Sequence, residues 1–282
     1  MVAPPDGYKH RRLRVAPRQT KVAGMVRFLR AAWRNGVSRV VDFREEGIAG
    51  LRMAREAEIR ARALGAPVQV TALGRTTGDE SAEEVVRSAD GIGLSGLRDL
   101  GAVRAEDEAR VARRAGRPVA IHFSESRRED VTDLLSLRPA LAVHLCKATA
   151  RDIERVCSAR IPVIVCPRSN ERFGLRAPVR RMLDSGIRVL LGTDNAMLAT
   201  PDLFAEARTL VRQGRGRISE LEALNAAVMA PQGILEDHPK TVAARGSREW
   251  LVVPLRRPSI GRLLRYGPGA TPVRRVGTSR RR

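Results

Sequence analysis

Seven short apolar runs, each followed by a segment of helical pattern, set the strongest limit on what this chain can fold into. They are Val37–Phe43, Val68–Leu73, Gly91–Leu94, Pro118–His122, Leu141–His144, Ile161–Val165 and Val189–Gly192. Most are continuously apolar, as strands buried on both faces should be. Between them lie helical patterns rich in Ala, Arg, Leu and Glu at Leu51–Leu64, Ser81–Ser88, Ala105–Ala115, Glu129–Leu137, Ala150–Ser158 and Val179–Ser185. A further helix opens at Pro201. This alternation predicts an α/β chain with a parallel sheet.

Two architectures fit that rhythm, a doubly wound open sheet and a (β/α)8 TIM-barrel. No GxGxxG or GxxxxGK[ST] turn follows any of the runs, so the nucleotide-binding open sheet lacks support. Asp42, His122, His144 and Asp194 fall at or just beyond the carboxyl ends of runs, where barrels place their chemistry. The expectation is a (β/α)8 barrel, incomplete at the N-terminus, with seven βα units visible. The chain then divides into a basic segment and helix over 1–35, the barrel over 36–217, a helix and strand over 218–253, and an arginine-rich tail over 254–282. The composition of that tail predicts little packing.

The net charge of +21 comes from 52 basic residues, only four of them lysine. Much of it sits at the two ends: eight basic groups in residues 1–30, and nine arginines without an acid in 256–282. Basic ends can neutralise phosphates. Aromatic residues are only 3%, however, and none interleave with the basic ones as a base-stacking platform requires. Nucleic acid is therefore not the expected main partner. No run is long enough to span a membrane, and Met1–Arg14 lacks the apolar stretch of a signal peptide. Three cysteines without CxxC spacing argue against a disulfide framework and point to a cytoplasmic protein.

Four histidines occur, and His10 and His238 sit in polar surroundings. His122 and His144 end consecutive runs, an arrangement that suits a divalent metal. Gly192-Thr-Asp194 adds a carboxylate at the same face, the glycine read as letting the chain turn. An aspartate there can ligate a metal and accept a proton; it can equally cap the next helix. Arg168 and Asn170, after the sixth run, are candidates for substrate contact or for turn roles. Cys146 and Cys166 read as buried thiols.

Val-Val-Asp-Phe43, Ile-His-Phe-Ser-Glu125, Val-His144, Val-Ile-Val-Cys-Pro-Arg-Ser-Asn170, the helix ending at Ile187 and Leu-Leu-Gly-Thr-Asp194 come in one order. In that order they resemble the amidohydrolase superfamily, on its deaminase and chlorohydrolase side. The resemblance implies a metal-dependent hydrolase that cleaves C–N bonds other than peptide bonds, for instance as a deaminase of a nucleobase-like ring. It implies that His122 and Asp194 ligate one divalent ion, Zn or Fe. His144 orients or ligates the attacking water, and Glu125 passes a proton to the ring. The substrate would be a small molecule, and a homo-oligomer is compatible with the family.

The sequence departs from the family in two respects. It has no His-x-His pair, and no lysine in the third run to bridge a second metal. The family's first strand carries the pair, and the first βα unit is the one not visible here. Met1 is accordingly expected not to be the start of a working enzyme. Two alternatives stand beside this reading, a catalytically silent barrel and a nucleic-acid-associated basic protein.

Overall fold

The computed structural model describes residues 7–231, 235, 248–254, 259–267 and 274–278. Seven strands form one sheet: β1 (Arg39–Arg44), β2 (Gln69–Gly74), β3 (Gly91–Leu94), β4 (Val119–Phe123), β5 (Leu141–His144), β6 (Val163–Val165) and β7 (Val189–Leu191). Every neighbouring pair is parallel and the strands stand in sequence order, the arrangement of an incomplete (β/α)8 barrel. Each strand lies within a few residues of its apolar run.

Two helices, α1 (Tyr8–Val15) and α2 (Arg18–Arg34), precede the sheet. Then α3 (Gly47–Ala63), α4 (Ala82–Ser88), α5 (Leu97–Leu100), α6 (Ala102–Arg114), α7 (Val131–Leu137), α8 (Ala150–Ser158), α9 (Pro167–Arg172) and α10 (Val179–Asp184) connect the strands. After β7 come α11 (Leu203–Gly214) and α12 (Glu220–Leu224), which runs on into a wider π-helical turn over Asn225–Met229.

Alternation along the strands divides the apolar residues between two clusters. The larger lies between sheet and helices and takes Ile121, Phe123, Val163 and Leu191 with Val22, Leu134, Ile153 and Leu210. The smaller lines the inside of the curl, with Leu73, Ala120, Leu141, Val143 and Cys166. Glycine keeps that inner face narrow. A Cβ on Gly93 would meet Phe43 at 2.7 Å, and one on Gly192 would meet Ile164 at 2.7 Å.

Two sequence expectations are revised here. Gly192 is not a left-handed turn residue; it admits a neighbouring side chain, and the left-handed backbone falls on Asp194, at φ 54°. Gly91-x-Gly93-x-x-Gly96 does match a phosphate-loop spacing, but Gly91 and Gly93 are strand residues, tightly packed on Pro118, Leu73 and Phe43. The match serves packing.

The tail also packs more than its composition suggested. Ser259 caps α13 (Ile260–Arg265), Leu264 is buried, and its carbonyl accepts from the Arg208 side chain on α11. On either side of α13 in sequence, β8 (Arg248–Val252) pairs antiparallel with β9 (Arg274–Thr278), which lies inside the arginine-rich tail. A few apolar positions decide burial, and an average over the segment hides them. His238 lies outside the described residues. No described helix is long and apolar enough to cross a membrane.

One charged contact fixes the β4–β5 region. Thr149 and Asp152 form a reciprocal cap at the start of α8, and the buried Asp152 carboxylate also takes two bonds from Arg128, both 2.8 Å. The Arg128 bonds hold the Asp152 carboxyl well below the usual range. A carboxyl held low stabilises the fold fully above its unfolded range, about pH 4, and loses that contribution as pH falls. Asp152→Ala should thus lower stability by about 1–3 kcal/mol at neutral pH. Urea unfolding of both proteins should show the gap narrowing as pH drops below about 4.

Candidate metal centre

Parallel pairing sends all seven carboxyl ends to one face, and the candidate residues meet there. His122 is the penultimate residue of β4 and lies on the inner face with Ala120. His144 ends β5, where Leu141 and Val143 already face inward, so strict alternation would send its side chain outward. The backbone breaks that pattern: His144 and Leu145 have φ of 77° and 51°. Such left-handed geometry costs about 1–2 kcal/mol per residue and persists only where the surroundings enforce it. Leu145 is buried in the outer cluster, and the His144 ring stands 5.3 Å from that of His122.

Ligand-type atoms of His122, His144 and Asp194 all lie within 4.8 Å of one another. His144 is fully buried, His122 half-buried and Asp194 exposed, so the group opens to solvent on one side. Glu125 stands on the same side, with Oε1 3.7 Å from His144 Nε2. Burial pushes its carboxyl up, and Asp194 and Asp99 add to the effect while His144 opposes it.

His122 is held for one role. Its Nδ1 lies 3.3 Å from the Leu94 carbonyl and 3.3 Å from Arg75 Nη2. Burial lowers its pKa well below the ordinary value, and the neighbouring Arg75 and His144 lower it further. The ring is therefore neutral. The Leu94 carbonyl can only accept and Arg75 can only donate, so the two contacts call for opposite tautomers; in the one whose Nδ1–H goes to Leu94, the Nε2 lone pair is free for a ligand. The Phe43 ring packs edge-on against it at 4.4 Å.

Arg75 was not anticipated from the sequence, although it directly follows β2 and the strand-end rule would have nominated it. Its guanidinium pairs with Glu45 at 2.5 Å and donates to the Gly93 carbonyl. Glu45 also takes Lys9 of α1 at 2.6 Å. Burial alone would raise the Glu45 carboxyl, but Arg75 and Lys9 outweigh it and hold it below the usual range. Ser169, also unanticipated, donates its hydroxyl to Asp194 Oδ2.

The remaining candidates fall as follows. Asn170 is buried and its Oδ1 lies 3.1 Å from His144 Nδ1. Arg168 turns away, donating to Glu206 at 2.7 Å and to Thr200. Asp42 pairs with Arg44 at 3.2 Å. Burial raises the Cys146 thiol to about 12 and the Cys166 thiol well above its ordinary value, so both are neutral.

The donor set suits a borderline divalent cation. Two imidazole nitrogens and one carboxylate, facing an open side, form the pattern of a catalytic zinc or non-haem iron site. Two imidazole nitrogens beside a carboxylate offer a divalent ion ready ligands.

The chain is 28% identical over 270 residues to a protein of Methanothermobacter thermautotrophicus provisionally named an aminohydrolase, covering 84% of this chain and 69% of that one. It is 31% identical over 186 residues to the 5-methylthioadenosine/S-adenosylhomocysteine deaminase of Moorella thermoacetica, covering 62% and 42% respectively. A zinc-bound adenosine deaminase of Xanthomonas campestris shares the fold, with a TM-score of 0.62 at 16% identity over 78% of this chain. The chain spans 57% of that structure's length. A model of the amidohydrolase family matches residues 7–233, and the chain belongs to that family.

Proposed function

We propose that this chain carries the hydrolytic centre of a metal-dependent aminohydrolase, which removes an amino group as ammonia from a purine-like ring. The convergence of His122, His144 and Asp194 at one open mouth, with Glu125 beside them, carries this reading. The two relatives named for deamination of adenine-containing compounds support the choice of ring.

His122 and Asp194 would hold one divalent ion, Zn or Fe, with His144 within reach of the same point. When bound, the ion supplies a Lewis acid that makes water nucleophilic near neutral pH. The chain's own groups then divide the proton work. The Asp194 carboxylate accepts the proton that the attacking water gives up. Glu125, whose carboxyl burial pushes up, donates to a ring nitrogen, and the proton taken by Asp194 passes to the departing amino group, which leaves as ammonia. His144 Nε2 stands beside Glu125, from where it can orient the attacking water. Asn170 and Arg168 would shape the loop beside the substrate, Arg168 by tying that loop to Glu206.

Metal analysis of the purified protein should find about one Zn or Fe per chain, the ligand set of a single catalytic site. Zinc titration should show that His122→Ala no longer takes it up. A wild-type chain that binds no zinc would support a catalytically silent barrel.

Ammonia release should be followed with adenosine, guanine and related aminated rings. Glu125→Gln should keep the metal and lose turnover by about 10²–10⁴-fold. Equal loss of metal in that variant would make Glu125 a ligand and sink its role as proton donor.

A further inference from the structure

β6 lies between β5 and β7 in the sheet and contributes no member of the His122–His144–Asp194 group. The chain leaves β6 through Cys166 into α9, and two adjacent residues of that helix reach to either side. Ser169, wholly buried, donates its hydroxyl to Asp194 Oδ2 from β7's end. Asn170, 2% exposed, meets His144 from β5's end, with Oδ1 3.1 Å from Nδ1.

We propose that Ser169 and Asn170 act as a paired positioning device, each fixing one metal-facing side chain of a flanking strand. This deepens the reading of the site as a metal centre and rests on it.

The hydrogen-bond chemistry makes the device directional. Asn170 Nδ2 donates to Cys146 Sγ, so the amide is oriented and presents its carbonyl to His144. A carbonyl can only accept, so His144 carries its proton on Nδ1 and keeps an Nε2 lone pair toward the site. Ser169 occupies Oδ2 of Asp194 and leaves Oδ1 for another partner. The device is itself anchored. Arg168 donates its backbone N–H and Nε to the two oxygens of Glu206, which is wholly buried in α11, at 2.9 and 2.7 Å. Asn170's own carbonyl accepts from the backbone N–H groups of Phe173 and Leu175. Three consecutive side chains thus face three different elements.

A pair that merely filled space would cost stability when cut and nothing else. A positioning pair also changes the state of its targets, and removing such partners typically costs 10–100-fold in metal affinity. The test uses the full chain with the variants Ser169→Ala, Asn170→Ala and Asn170→Asp, each checked for folding by circular dichroism. Long-range nitrogen-15 NMR of the metal-free protein should show His144 as the Nδ1–H tautomer. Asn170→Ala should lose that preference and Asn170→Asp, which keeps an acceptor, should retain it.

Zinc affinity by chelator competition should fall about 10–100-fold in Ser169→Ala and Asn170→Ala. Unchanged affinity in a folded Ser169→Ala, or an unchanged tautomer in a folded Asn170→Ala, would overturn that residue's role. If Asn170→Ala does not fold, a loss of the Nδ1–H tautomer in Asn170→Asp overturns the assignment. If the unaltered chain takes up no zinc, the metal reading itself fails, while the tautomer comparison still decides what Asn170 does.

Discussion

Everything at the mouth depends on the parallel ladder that joins β1 to β7 in sequence order. Parallel pairing is what sends the end of every strand to the same face, so residues far apart in sequence share one rim. The register supplies the fine adjustment: His122 pairs beside Val143 and Phe123 beside His144, which brings the two rings next to each other one step out of line. One antiparallel strand would have carried its residue to the opposite rim. Small residues on the inner face let the sheet curl tightly enough for rings from separate strands to touch.

A strongly basic chain faces a difficulty at such a centre, because nearby arginines would repel a cation. Near the site the difficulty is met by local pairing. Arg75 and Lys9 are held on Glu45, and Arg168 on the buried Glu206. Arg75 does more than stand by, since its charge beside His122 disfavours the imidazolium and keeps the ring available as a base. Among the described residues, the rim is governed by these few close contacts.

The strands and the three clustered residues were legible in the sequence because both depend on short-range signals. Buried parallel strands are apolar runs, and polar residues at their ends stand out. What could not be read depends on the third dimension. Nothing in Leu-Ala-Val-His144 announces that the backbone turns left-handed at the histidine, and strict alternation would have pointed the ring the wrong way. Ser169 lay inside a recognised stretch, yet its partner Asp194 lies beyond the end of the next strand. Gly192 was assigned freedom of the backbone when its actual use is the space it leaves beside Ile164. In the tail, Leu264 was outvoted by the arginines around it, although one leucine against α11 is enough to seat a short helix.

The spread of the cluster over β4, β5 and the segment after β7 also makes the complete set a product of the folded sheet. His122 and Asp194 come into range only after β5, β6 and their helices have docked between them. An ion therefore has no preformed claw to seize in the unfolded chain, and it cannot template the early collapse. The three-residue set is complete only with the last of these strands in place. A chain built in this way can be assembled first and supplied with its ion afterwards.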